Sequence, residues 1–281
     1  MKIAFGLHGI VGGVDGKYGE GDSKEALEKG YEHYKKHILD HNDCDVFCHT
    51  STMERKSEIL DLYKPVKSKF TQQPNFEIPK NHHAGRKGNR IQGHYHKWWS
   101  HKIVSELRQE YEKETGVKYD MVYIGRYDLA WNTIVDFSKF DPNKFWLGHW
   151  NRIPGRGNRE WYTIRKKDNL PLIKNNKYKN EDIPLVGYPH NKEGVIDQWA
   201  FSSPKLMDIY CKLYDNLDKY ITQEPNTWWD GESTIHDHMG SISNHRLIPC
   251  HLESKDILDK LEFAFYFHDD FPTVRRLYYG T

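Results

Sequence analysis

The chain is short of cysteine, of net charge and of long apolar runs. Its 281 residues include four cysteines, Cys44, Cys48, Cys211 and Cys250. They are scattered apart from one CxxxC, which is neither a disulfide framework nor a zinc-site spacing. Structural thiols and a reduced, intracellular setting follow, with a cytoplasmic location as the expectation. Forty-one basic against forty acidic residues leave a net charge of +1. No global field therefore draws nucleic acid or an anionic membrane, and any electrostatic preference must be local. No stretch is apolar for long enough to span a bilayer. The opening Met1–Val11 is too short and too broken by glycine for a signal peptide and reads as a first strand with its loop.

Rings are plentiful: 9 Trp, 18 Tyr and 12 Phe. Each buries a large area, which offsets a hydrophobic fraction of 37% and a mean hydropathy of −0.87. A chain of this length buries roughly 70–75% of its unfolded surface, so its core needs no staples. Disordered and collagen-like classes are excluded.

No repeat and no Ser/Pro-rich linker divides the sequence, which predicts one domain over 1–281. Strand and helix alternate. Lys2–Leu7 reads as a strand followed by a glycine-rich turn through Gly13. Asp22-Ser23 opens a helix with Leu27, Tyr31, Tyr34 and Ile38 at helical spacing. Asp45–His49 is a short buried strand, and Ile59–Tyr63 a helical turn stopped by Pro65. Residues 78–105 hold no carboxylate but carry Lys80, Arg86, Lys87, Arg90, Lys97, Lys102 and five histidines. A helix is predicted from Trp98 to Glu114, with Gly116 as its stop. Tyr119–Ile124 is the most apolar strand and ends in Gly125-Arg126-Tyr127-Asp128. Phe145–His149 is another strand, and 151–193 an irregular insertion or flap. Pro204–Tyr220 reads as one helix, Gly231–Met239 as a short helix, Arg246–Cys250 as a strand and the tail from Asp256 as a helix. The alternation predicts an α/β fold, a mostly parallel sheet covered by helices. Ligands in such sheets sit beyond the carboxyl ends of the strands, at Gly6–Gly13, His49-Thr50 and Gly125–Asp128.

Five groups of residues could carry chemistry. Gly6-Leu7-His8-Gly9 could bring backbone N–H groups close to a phosphate or ribose, or form a tight turn. Arg126-x-Asp128 could hold a divalent cation or a diphosphate, or be a surface ion pair. Asp197, between Val195-Ile196 and Gln198-Trp199, could be a desolvated general base or a cap. His236 and His238 in Glu232–His238 evoke a zinc site, although among seventeen histidines chance proximity is common. The basic stretch 80–102 is either a solvated face or a wall over an anionic ligand; the neutral total argues against nucleic acid.

The ordered set "MKIAFGLHG", "CDVFCHT", "ILDLYKP", "KWWSHKIVSELRQEYEKETGVKYDMVYIGRYDLAW" and "GVIDQWAFSSPKLMDIYCKLYD" resembles glycosyltransferase-like proteins of giant viruses, phages and bacterial polysaccharide clusters. The likeness covers most of the chain outside 151–193. It implies a GT-A-like domain that moves a hexose from a nucleoside diphosphate sugar, UDP-sugars among them, to a glycan or related acceptor. Asp128 would stand where such enzymes hold Mn²⁺ or Mg²⁺, although this chain has RxD in place of DxD. Gly6, Leu7, His8, Gly9, His49, Thr50, Arg86, Arg90, Trp99, Ser100 and Arg126 would line the nucleotide, and Asp197 would match the acid near the acceptor. The rival readings are a sugar-binding platform of Trp98, Trp99, Trp199 and Trp228, and a metal-dependent hydrolase built on the histidines.

Overall fold

The computed structural model describes residues 1–11, 23–82, 88–149, 173–174, 195–222, 244–264, 273–274 and 278. Its strands are β1 (Lys2–Gly9), β2 (Asp43–Thr50), β3 (Lys67–Phe70), β4 (Met121–Arg126), β5 (Phe145–His149), β6 (Ile173–Lys174), β7 (Val195–Ser202) and β8 (Leu261–Ala264). The helices are α1 (Ser23–His37), α2 (Lys56–Tyr63), α3 (Gly88–Thr115), α4 (Pro204–Cys211), α5 (Leu217–Thr222) and α6 (Asn244–Glu253).

The strands form one sheet in the order β3-β2-β1-β4-β7-β5-β8-β6. β7 runs antiparallel to both β4 and β5, and β6 antiparallel to β8; the remaining pairs are parallel. The sheet is thus mostly parallel, as the alternation of elements predicts. Period-two alternation along β1 feeds two cores. Ile3, Phe5 and Leu7 pack against Leu27, Tyr34 and Ile38 of α1 and Ile59 and Tyr63 of α2. On the other face Ala4, Phe47, Val122 and Ile124 meet Trp98, Val104 and Leu107 of α3 and the apolar sides of α4, α5 and α6. Among the described residues no helix is long and apolar enough to cross a membrane.

The chain winds outward from β1 to β2 and β3, and α3 then carries it back to β4 on the other side of β1. That reversal is a topological switch point, beside which open α/β sheets place their ligand crevice, beyond the carboxyl ends of the strands. Because β7 runs the opposite way, its first residues return to the same edge.

Several elements differ from expectation. α3 begins ten residues before Trp98, at Gly88: Ile91 and Tyr95 are buried on its inner face, but histidines and lysines mask that periodicity. β3 carries two lysines in four residues and has no apolar alternation to announce it. The single helix expected over Pro204–Tyr220 breaks after Cys211 into a 3-10 turn and α5. The break lets Tyr214 reach Phe76 and Tyr95, and Asp215 reach Lys102. Arg246–Cys250 lies in a helix, α6, and is not a strand: Leu247, Ile248, His251 and Leu252 are all buried, a helical spacing too short to separate from a strand by pattern. The tail from Asp256 supplies a 3-10 turn and β8, not a helix. The expected helix over Gly231–Met239 lies outside the described residues, as does 151–193 apart from the two residues of β6.

α3 lies so close to β1 that a Cβ on Gly6 would stand 2.5 Å from Val104 Cγ1. Gly6→Ala should therefore lower stability by about 1–3 kcal/mol, the usual cost of overpacking. In urea unfolding, Gly6→Ala/Val104→Ala should lose less than the sum of the two single variants; strict additivity would contradict the close approach.

Candidate functional site

Three of the loops singled out by the strand ends meet at the carboxyl edge. Gly9 closes β1, and its N–H donates to Ser100 Oγ of α3 at 3.0 Å. Ser100 Oγ also shares a 2.5 Å hydrogen bond with His49 Nδ1 at the end of β2, and His49 Nε2 shares one of 2.9 Å with Thr71 Oγ1 just past β3. Thr50 Oγ1 accepts from the N–H of Thr52, whose own Oγ1 accepts from the N–H of Val11. Trp99 packs edge-on against the His49 ring, with centroids 4.9 Å apart. His49, Thr50 and Ser100 are thus bonded to the loops around the crevice and hold them in register. Leu7 is buried in the α1 core, and Gly6 lies inside the sheet under Val104; neither side of β1 at these positions faces the crevice.

Arg126 ends β4 and Asp128 lies in the turn after it. Arg126 Nε donates to Asp128 Oδ1 at 2.8 Å and its terminal nitrogen to Oδ2 at 2.7 Å, a two-pronged pair. The Arg126 side chain is 39% exposed and that of Asp128 only 12%. The turn is held from below: the buried Tyr34 hydroxyl donates to the Arg126 carbonyl at 2.5 Å. A Cβ on Gly30 of α1 would stand 2.1 Å from the Tyr127 carbonyl oxygen, so only glycine lets α1 support this turn.

From α3, Lys97 reaches across to the start of β7. Its Nζ lies 2.7 Å from Asp197 Oδ2, with 13% of the lysine side chain exposed and 28% of the aspartate's, and it also donates to the Asp197 carbonyl. One turn along α3, His101 stacks at a tilt on His8 of β1, ring centroids 3.9 Å apart. Both imidazoles are buried, and none of their four ring nitrogens has a hydrogen-bond partner among the described residues. Burial first, then His101 and Lys97 beside His8 and Lys97 beside His101, hold both rings well below the ordinary histidine range, so they are neutral at pH 7. Burial also pulls Lys97 below its usual value, against the pull of Asp197.

The structure therefore brings together His8, Gly9, His49, Thr50, Trp99, Ser100, Arg126, Asp128 and Asp197. Arg86, Trp228 and Glu232–His238 lie outside the described residues, and Arg90 sits in α3 with its side chain undescribed. Lys97 turns to Asp197. Trp98 and Trp199 are fully buried in the two cores, so neither offers an open face to a sugar, which weakens the platform reading. Asp128 is where the resemblance places a divalent cation. Such ions take six or more oxygen ligands or keep several waters, whereas both Asp128 oxygens are shared with a guanidinium. Lys97 adds a second positive charge within range. Among the described residues no group of three or more His, Cys, Asp or Glu side chains is arranged to hold a metal ion. This donor set does not fit a cation.

His101, Thr52 and Tyr34 belong to the site without having been singled out in sequence. Starting the helix at Trp98 leaves out Lys97; once α3 is extended, Lys97, Ser100, His101 and Val104 fall on one face at spacings of three and four.

No protein-family model matches the chain, and no curated protein is significantly similar to it.

Acid should weaken this core. His49 and His251 are pushed down to about 4, mainly by burial, while His8 and His101 are also depressed. The unfolded chain protonates such rings near pH 6.5. Their contribution to stability is therefore complete above that pH and is lost as pH falls from about 6.5 through the folded values. The loss runs at up to ~1.4 kcal/mol per pH unit for each ring. Urea midpoints should drop between pH 7.5 and pH 5, and His101→Leu should make that slope shallower. An unchanged midpoint across this range would show that these rings take up protons as readily in the folded chain as in the unfolded one.

Proposed function

We propose that the chain is a nucleotide-sugar-dependent glycosyltransferase of GT-A-like fold. One observation carries the reading: Asp197, Lys97, Arg126 and Asp128 converge at the carboxyl edge next to the β1/β4 switch point. They come from separate parts of the sequence, and the resemblance had already assigned Arg126, Asp128 and Asp197 to donor and acceptor. Glycosyl transfer needs positive charge for the leaving diphosphate and a base for the acceptor hydroxyl. Arg126, the more exposed partner of its pair, supplies positive charge for the incoming diphosphate while it stays paired with Asp128. The Gly9 turn, tied down by Ser100, sets the floor beneath the nucleotide. Asp197 takes the proton of the acceptor hydroxyl. The partners are a nucleoside diphosphate sugar and a glycan or related acceptor.

Thermal-shift measurements with UDP, GDP, CDP and their sugars should single out one donor. A ligand at about 100 times its dissociation constant adds roughly 2.7 kcal/mol of stability. Asp197→Asn should lower turnover by about 10²-fold or more and leave the donor-induced shift intact, since the base touches the acceptor only. A wild-type protein that neither responds to nor turns over any donor would refute the reading. Because Asp128 is occupied by Arg126, turnover should persist in a chelator; loss on chelation restored by Mn²⁺ would instead place a cation at Asp128.

A further inference from the structure

The carboxylate assigned to the acceptor does not stand by itself. Lys97 Nζ holds Asp197 at two points, its Oδ2 at 2.7 Å and its main-chain carbonyl. A carboxylate gripped through both side chain and backbone cannot rotate freely. It projects from the first turn of a strand that is anchored at Gly125↔Trp199 and Ile124↔Ala200 on β4. The lysine comes from the middle of α3, a long and well-packed helix, and its stem runs past the Trp98 ring, 5.8 Å from Nζ to the centroid. Both members of the pair are therefore borne by rigid elements.

The surroundings decide what the pair does. The ionisable groups facing it are His101 on α3, His8 at the end of β1, Tyr210 on α4, and Arg126 with Asp128 after β4. The two imidazoles and the tyrosine are neutral at pH 7. Arg126 is engaged by Asp128. Among the described residues, the cation in direct contact with Asp197 is Lys97.

Resting on the transferase reading, we propose that Lys97 is a positioning residue for Asp197. It fixes the direction of the carboxylate, and its positive charge favours the ionised form. In the reaction the acceptor O–H bond breaks and its proton passes to Asp197. The acceptor oxygen bonds to the anomeric carbon, and the bond from that carbon to the diphosphate breaks, its electron pair leaving on the phosphate oxygen. Without Lys97 the carboxylate takes up its proton at a higher pH, and the step is lost from that pH downward. An ammonium at this distance favours the charged carboxylate by about one to three pH units.

Two readouts test this. The acid limb of the turnover–pH profile should move up by about one unit or more in Lys97→Met and Lys97→Gln, and stay in place in Lys97→Arg. The ¹³C signal of the Asp197 carboxyl, assigned by its loss in Asp197→Asn, should titrate at correspondingly higher pH in the same two variants. Lys97→Gln keeps a hydrogen-bond donor and serves if Lys97→Met does not fold. Coincidence of either readout with the wild type in a folded, uncharged variant overturns the proposal. Wild-type protein inactive on every donor would refute the transferase reading, while the carboxyl titration still decides whether Lys97 holds Asp197 ionised.

Discussion

The distance between α3 and β1 governs the rest of the molecule. Gly6 removes the one Cβ that would keep Val104 away, and the helix settles directly onto the strand. A helix laid down at that distance delivers its inner face in order. Val104 covers Gly6, His101 meets His8, Ser100 takes the Gly9 N–H, and Lys97 overshoots the strand ends to reach β7. Counted from Lys97, the other three stand three, four and seven residues along, which is the spacing of one helical face. The crevice is therefore a by-product of close packing as much as of loop sequence.

That packing places unusual chemistry under the crevice. Two cations and two carboxylates stand in paired contact beside two neutral imidazoles. Desolvating such pairs costs several kcal/mol per ion, and well-packed apolar groups of similar volume are often at least as stable. The cluster is thus a poor device for stability. Neutral rings suit the setting, because a charged imidazole next to Lys97 would compete for Asp197.

The sequence revealed the fold in proportion to how much each element depends on its own pattern. α1 carries a clean periodicity and β4 a continuous apolar run, and both stand within two residues of where the pattern placed them. The loops at the strand ends do meet at one edge of the sheet, since that convergence follows from topology. What escaped was set by tertiary contacts. β3 is a strand because β2 offers it an edge, not because its lysines favour one. α6 and the break after α4 were decided by which short apolar groups faced the sheet and which side chains needed a partner across the core. In the site, Arg126, Asp128 and Asp197 were legible as isolated residues. Their coupling was not, because Lys97 lay just outside the helix the pattern suggested and its partner is a whole crossover away. His101 was one of many histidines, and only the structure sets it against His8.

The antiparallel entry of β7 has a kinetic side. Gly9, His49, Ser100, Arg126 and Asp128 can all be assembled by β1 to β4, whereas Asp197 arrives only when β7 docks against β4. Until that long loop closes, Lys97 has no counter-ion and α3 carries a charge toward an apolar core. Non-local closure is slow because its chain entropy must be lost before any contact forms. A chain paused before that closure would carry an unpaired β4 edge, the kind of exposed edge that favours aggregation. In this protein, seating Asp197 and sealing that edge are one event.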